Sequence, residues 1–252
     1  MNIVLIGTGN TATVLGRKFK EAGHTIVQIY GRDASAASEL AYILDSESTN
    51  YWSVVNKEAD IYILAVADIA IEELVREVNL PQKTVVHTAA SVPKKILEKA
   101  SAHYGVFYPL QSLKKEQAVL PEIPVIIDAS DEATLTLLEK LGDSISTRVV
   151  EVNDDQRVKL HLAAVFCNNF VNHLYWLIQE YCKKESLDFD LLLPLIRETS
   201  LRLEEMDPSL AQTGPALRND TVTIEKHTGL LTQHPRLKNL YLLFTQSIQQ
   251  QA

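Results

Sequence analysis

Cysteine is scarce in this chain: two thiols, Cys167 and Cys182, stand in 252 residues. Both fall in one segment of helical periodicity, too far apart along it to meet, so no disulfide framework is expected and reduced thiols in a cytoplasmic protein are. Long apolar runs are also missing. No window of about eighteen apolar residues exists, which argues against a membrane helix, and a strand pattern that begins at Asn2 leaves no room for a secretory leader. Excess positive charge is absent too, since the formal net charge is -8, and this argues against a nucleic-acid groove. The histidines His161, His173, His227 and His234 lack the close spacings that zinc prefers, so no metal is expected. There is no nucleophile elbow, no P-loop and no internal repeat.

What is present begins at the first residues. Ile3-Val4-Leu5-Ile6 is short and uniformly apolar, as a parallel strand covered on both faces should be. It stops on Gly7-Thr8-Gly9-Asn10-Thr11-Ala12, a G-x-G-x-x-A turn. Gly7 permits the tight turn, Gly9 leaves bare backbone for a pyrophosphate, and Ala12 lets the next helix pack closely. Ala12, Leu15, Gly16 and Phe19 recur at helical spacing, Gly23 ends that helix, and Thr25 to Tyr30 reads as a second strand, completing a βαβ start. The residues from Gly7 to Ala12 are therefore candidate dinucleotide ligands, with the phosphates facing unpaired N–H groups at the positive end of a helix.

Strand patterns continue at Ile61 to Val66, Thr84 to His87, Val106 to Tyr108, Val125 to Ile127 and Arg148 to Val150. Helical patterns lie between most of them, at Ala34 to Leu44, Ile71 to Val78, Lys94 to Ala100 and Glu132 to Leu141. This alternation predicts an α/β doubly wound Rossmann domain over 1–152. From Asn153 every pattern is helical, predicting an all-α C-terminal domain over 153–252. Asn153 or Asp154 is suited to cap a helix that continues to about Lys184, which at 1.5 Å per residue spans about 45 Å. Helices over Phe189 to Glu205, Thr221 to Leu231 and Pro235 to Gln249 follow, separated by turns containing Pro208 and Thr213-Gly214-Pro215.

The second strand ends Ile29-Tyr30-Gly31-Arg32-Asp33. An acid at this point favours NAD by accepting the ribose hydroxyls, whereas a cation accommodates the extra phosphate of NADP. Gly31 replaces the acid and Arg32 offers a planar fork matched to phosphate, so NADP is the expected cofactor. The alternative for Arg32 is a solvated loop residue; Asp33 reads as a helix cap. Ala65, Val66 and Ala67, and Thr88 and Ala89, end later strands with small or hydroxyl residues and are further cofactor-binding candidates, although both stretches also fit ordinary turn chemistry.

These segments, together with Tyr108-Pro109-Leu110-Gln111-Ser112, the run His161 to Phe166 with Asn169, Asn172 and His173, and Thr213-Gly214-Pro215-Ala216-Leu217-Arg218-Asn219-Asp220, resemble a family of NADP oxidoreductases. In that family a Rossmann domain precedes an all-helical domain of unknown function. The resemblance covers nearly the whole chain and implies kinship with pyrroline-5-carboxylate reductase, ketopantoate reductase and the deazaflavin-dependent NADP reductases. Their helical domains resemble that of 6-phosphogluconate dehydrogenase, and members of the group usually dimerise through that domain. The β-hydroxyacid dehydrogenases carry a catalytic lysine four residues before an asparagine on the long helix. Here Lys159 has Ala163 at that spacing, so that lysine mechanism is not carried over.

At 100° per residue Arg157, His161, Asn168 and Asn172 fall near one line of the long helix, opposite Ala163, Phe166, Cys167, Phe170 and Leu174. The stripe is read either as facing a ligand or as a structural polar network. In the first reading His161 is the leading proton donor, with Asn168, Asn169 and Thr213 orienting the substrate. Arg157, Asn172, Gly214 and Arg218 are then candidate substrate-binding residues, Arg157 as an anchor for a carboxylate. For the Thr213 to Asp220 loop the alternative is a plain helix connection capped by Asp220. The expected function is an NADP(H)-dependent oxidoreductase reducing a small carbonyl or imine compound in the interdomain cleft, as a homodimer. The rival is an NADP-binding sensor or scaffold without hydride transfer.

Overall fold

The computed structural model describes residues 1–250. The chain divides into two compact units, Met1–Asn168 and Asn169–Ala252. The first unit runs β1 (Asn2–Ile6), α1 (Asn10–Glu21), β2 (Thr25–Tyr30), α2 (Ala34–Leu44), β3 (Glu47–Thr49), β4 (Ile61–Leu64), α3 (Asp68–Val75) and β5 (Thr84–His87). After a 3-10 segment at Lys94–Lys99 come β6 (His103–Pro109), β7 (Val125–Ala129), α4 (Glu132–Asp143), β8 (Val149–Glu151) and α5 (Asp154–Ala164).

The eight strands form one sheet in the order β3-β2-β1-β4-β5-β6-β7-β8. Every pairing is parallel except that of β6 with β7. Strand order therefore reverses between β1 and β4, the crevice where open α/β sheets bind ligands. Strand β1 shows why its sequence is uniformly apolar. Ile3 and Leu5 join a core with Val14, Leu15 and Phe19 of α1 and Leu40 and Leu44 of α2. Val4 and Ile6 face the opposite layer with Ile71 and Val75 of α3 and Leu97. Covered on both faces, β1 has no position for an alternating polar residue.

Two local features depart from the sequence pattern. Strand β3 was not expected: three polar residues at the sheet edge carry no apolar alternation, and parallel pairing with β2 alone holds them. The long C-terminal helix begins where expected, because Asn153 accepts from the Gln156 amide and Gln156 reaches back to the Asn153 N–H in a capping box. It then changes to a π turn at Val165–Phe170 before α6 (Val171–Lys184). Division into compact units falls inside this turn, at 168/169, so α5 groups with the sheet. The reason is that α5 is tied to the sheet. Asp154 Oδ1 accepts from the Lys94 N–H at 3.1 Å, and Arg157 donates to Ala90 O at 3.0 Å and Val92 O at 2.6 Å.

The second unit is helical throughout, with α6 followed by α7 (Leu193–Leu201), α8 (Pro208–Ala211), α9 (Thr221–Leu230) and α10 (Pro235–Gln249). The expected helix over Phe189 to Glu205 is α7 flanked by 3-10 turns at Phe189–Leu192 and Arg202–Glu204. Both cysteines are free thiols. Among the described residues no helix is long and apolar enough to cross a membrane.

Candidate active site

Strand β1 ends at Ile6 beside Tyr30 of β2 and Leu64 of β4, and the backbone must turn at once. Gly7 does this at φ 124°, a region that disfavours side chains. A Cβ there would lie 2.2 Å from the Ala65 carbonyl oxygen. Gly9 lies against open space, with nothing within 4 Å of where its Cβ would be. The two glycines thus have different reasons: one lets strands approach, the other keeps a surface bare.

That bare surface is the floor of a cavity of about 640 Å³. Gly7, Thr8, Gly9, Arg32, Ala65, Val66 and Ala67 all line it, so seven of the twelve residues singled out as cofactor ligands meet in one place. Asn10, Thr11, Ala12, Thr88 and Ala89 do not line it. Ala12 is fully buried under α1, and the Asn10 side chain accepts from the Lys115 N–H at 3.2 Å. Thr88 and Ala89 are buried beyond β5, the latter donating its N–H to His87 Nδ1 at 3.2 Å. The far wall was missed from sequence. Asn50, Tyr51 and Trp52 follow β3, and Glu73 and Glu77 come from α3 and the turn after it. The aromatic pair Tyr51-Trp52 was the available signal, since Trp52 packs edge-on against Tyr30 at 5.3 Å.

Arg32 stands at the mouth of this cavity, its side chain 77% exposed. Asp33 caps α2, its Oδ1 accepting from Ser35 N at 2.9 Å and Ala36 N at 3.1 Å. The carboxylate nearest in sequence to the ribose position is therefore engaged with its own helix.

Further along the same sheet edge, Tyr108 of β6 lies two residues past Val106, which pairs with His87 at the end of β5. Its hydroxyl is 3.1 Å from Nδ1 of His161 on α5, and the rings meet edge-on with centroids 6.2 Å apart. Burial raises the Tyr108 pKa, the carboxylate of Asp68 adds to this and Arg157 opposes it, so the phenol stays protonated at neutral pH. Tyr108 belongs to a motif noted in the sequence, but its contact with His161 spans fifty-three positions and has no local signature.

Arg157, the expected carboxylate anchor, is held from three sides by the protein. Its side chain is fully buried; Nε donates to Ala90 O at 3.0 Å and Nη2 to Val92 O and Asp154 Oδ1, each at 2.6 Å, while Nη1 is buried without a protein partner. The guanidinium is a structural tie between α5 and the loop after β5. Beside it, burial first and the Arg157 charge second lower the pKa of His87 to about 4, so this ring is neutral near pH 7.

The expected polar stripe also changes. A π turn has more residues per turn than an α-helix, so residues beyond Val165 lose the angular register on which the alignment of Asn168 and Asn172 with Arg157 and His161 rested. Asn168 lies on the π turn and is exposed. Asn169, Asn172, Thr213, Gly214 and Arg218 belong to the second unit. There Gly214 takes φ 107° and Asp220 caps α9 by accepting from Thr223 N at 3.0 Å.

Residues 2–91 match a family model described as NADP oxidoreductase coenzyme F420-dependent, and residues 123–248 match a domain of unknown function, DUF2520. The crystal structure of a putative NADP oxidoreductase from Bacteroides fragilis is 42% identical, with TM-score 0.91 over 99% of this chain and 98% of that one. The chain belongs to this NADP oxidoreductase family. More distant structures share the fold. A 1-pyrroline-5-carboxylate reductase from Streptococcus pyogenes is 12% identical over 99% of this chain and 98% of that one, TM-score 0.68. A reductive aminase from Aspergillus terreus, solved with NADPH and ethyl-5-oxohexanoate, is 14% identical over 98% and 94%, TM-score 0.70. No curated protein matches the sequence.

Proposed function

We propose that this protein is an NADP(H)-dependent reductase of a small carbonyl or imine compound. The observation that carries the reading is the Tyr108–His161 pair, a protonated phenol in contact with an imidazole at the sheet edge that also bears the glycine-lined cavity. NADPH, when bound, supplies a hydride to the substrate carbon. Gly7, Thr8 and Gly9 would hold its pyrophosphate and Arg32 its 2′-phosphate. Tyr108 donates its hydroxyl proton to the carbonyl oxygen or imine nitrogen as negative charge develops there. His161 then returns a proton from Nδ1 to the phenolate oxygen and regains one from solvent, so the dyad ends the cycle as it began. The orienting roles of Asn168, Asn169 and Thr213 remain part of this proposal, as does substrate binding by Arg157, whose Nη1 is the one guanidinium nitrogen without a protein partner.

Homodimerisation through the helical unit is also part of the proposal. Its support is apolar surface: Leu195, Leu210, Val222 and Leu243 of the helical unit are each 60% or more exposed. The experiment is calorimetric titration of the purified full chain with NADPH and NADH, then a turnover screen of keto acids and cyclic imines. Tight NADPH binding with turnover is expected, and Tyr108→Phe and His161→Ala should each lower kcat about 10²- to 10⁴-fold with little change in nucleotide affinity. NADPH binding without any turnover would make the protein a nucleotide sensor, and absence of binding would overturn the reading.

A further inference from the structure

One cavity holds two answers to the question of which nucleotide enters. The cation that suits the 2′-phosphate of NADP is Arg32. The acid that would suit the ribose hydroxyls of NAD is missing from its usual place after β2, because Gly31 stands there and Asp33 is engaged as a cap. Carboxylates nevertheless line the same cavity, brought by α3 and the turn after it. Glu73 Oε2 lies 3.7 Å from Arg32 Nη1, with both side chains about three-quarters exposed, at 74% and 77%. Glu77 lies further along: burial raises the pKa of the Tyr30 hydroxyl, Glu77 adds to this and Arg32 opposes it.

We infer that Glu73 is a specificity-determining residue that occupies Arg32 in the free protein and competes with the 2′-phosphate for it. The inference rests on the assignment of this cavity to NADP. Binding NADP requires the guanidinium to exchange one anion for another, and leaves the displaced carboxylate near a phosphate of the same sign. NAD carries no 2′-phosphate and needs no exchange, so its ribose hydroxyls are free to donate to Glu73. The same carboxylate therefore weakens one nucleotide and supports the other, narrowing the preference that Arg32 alone would set. Because the pair is exposed, its effect is modest and falls with salt.

The test is nucleotide affinity, measured by calorimetry on the full chain with NADP⁺ and NAD⁺ at low salt. Glu73→Gln is expected to bind NADP⁺ about three- to tenfold tighter, and NAD⁺ equally or up to about threefold more weakly. Glu72→Gln is the control: Glu72 pairs with Arg76 at 3.0 Å and does not line the cavity, so its loss should change neither affinity. In an Arg32→Ala background the gain from Glu73→Gln should shrink below about twofold, as pairwise coupling requires. The inference fails if Glu73→Gln leaves NADP⁺ affinity unchanged, tightens both nucleotides equally, or keeps its full gain without Arg32. If the unmodified chain binds neither nucleotide, the assignment of the cavity fails instead. Both acids are exposed, so the variants should fold normally; an unchanged thermal midpoint verifies this.

Discussion

The two units use their apolar residues in different ways. In the first, β1, β4 and β5 are buried on both faces, and the helices on either side close two continuous cores. In the second, few side chains reach full burial, among them Leu177, Cys182 and Ala216, while Leu191, Leu210 and Val222 are each 76% exposed. Both units have capped and uncapped helices, so capping does not separate them. What separates them is the core: the first unit has two clusters of buried side chains against its sheet, and the second has few buried side chains, although exposed apolar residues occur in both, Tyr42 and Ile69 among those of the first. The proposed homodimer would cover part of the apolar surface of the second unit.

The sharpest way to test that contrast is to delete equivalent apolar bulk from each unit. Phe19 is fully buried and packs 5.8 Å from Phe107, so Phe19→Ala should cost about 3–5 kcal/mol in denaturant melts at any protein concentration. Leu210→Ser should cost less than that and should depend on concentration, shifting sedimentation from a dimer towards the single chain. An effect of Leu210→Ser that ignores concentration would remove the contrast.

Next in size is an acid sensitivity confined to the first unit. The His87 pKa falls from 6.5 to about 4 in the folded chain, so between these values the unfolded chain binds more protons than the folded one. Stability is then retained above about pH 6.5 and lost as the pH falls towards 4, by about 3 kcal/mol in all. His87→Asn keeps an acceptor for the Ala89 N–H and removes the titration. Urea melts at several pH values should show a flatter profile for this variant, and an unchanged slope would show that the buried ring does not carry the effect.

The smallest effect concerns the start of α5. Asn153→Ala removes one side of the capping box and should cost about 1 kcal/mol. Hydrogen exchange should report the loss in the first turn of α5 and leave the helices of the second unit unchanged.

Much of this architecture is readable from local sequence because local forces decide it. The glycine turn, the apolar run of β1, the helix over Ala34 to Leu44 and the capping signal at Asn153 each reflect interactions within a few residues. What escaped notice depends on distant ones. Strand β3 exists because β2 offers an edge, the fate of Arg157 is decided by carbonyls more than sixty positions away, and Tyr108 meets His161 only through the fold. The π turn was hidden because no residue type marks it as proline would mark a kink. At the cavity, the residues of the glycine turn were legible and the opposing acids of α3 were not, since a helix with exposed glutamates looks the same whether it faces water or a ligand.

The single antiparallel step in the sheet sets the chain's direction of travel. Because β7 and β8 run the other way, β8 leads into α5, which is moored at Asp154 and Arg157 to the loop after β5 and rises about 10 Å from Asp154 to His161. That climb brings His161 to Tyr108. A reversal in strand polarity thus acts as a delivery route, bringing a residue encoded late in the unit back to an edge laid down at its beginning.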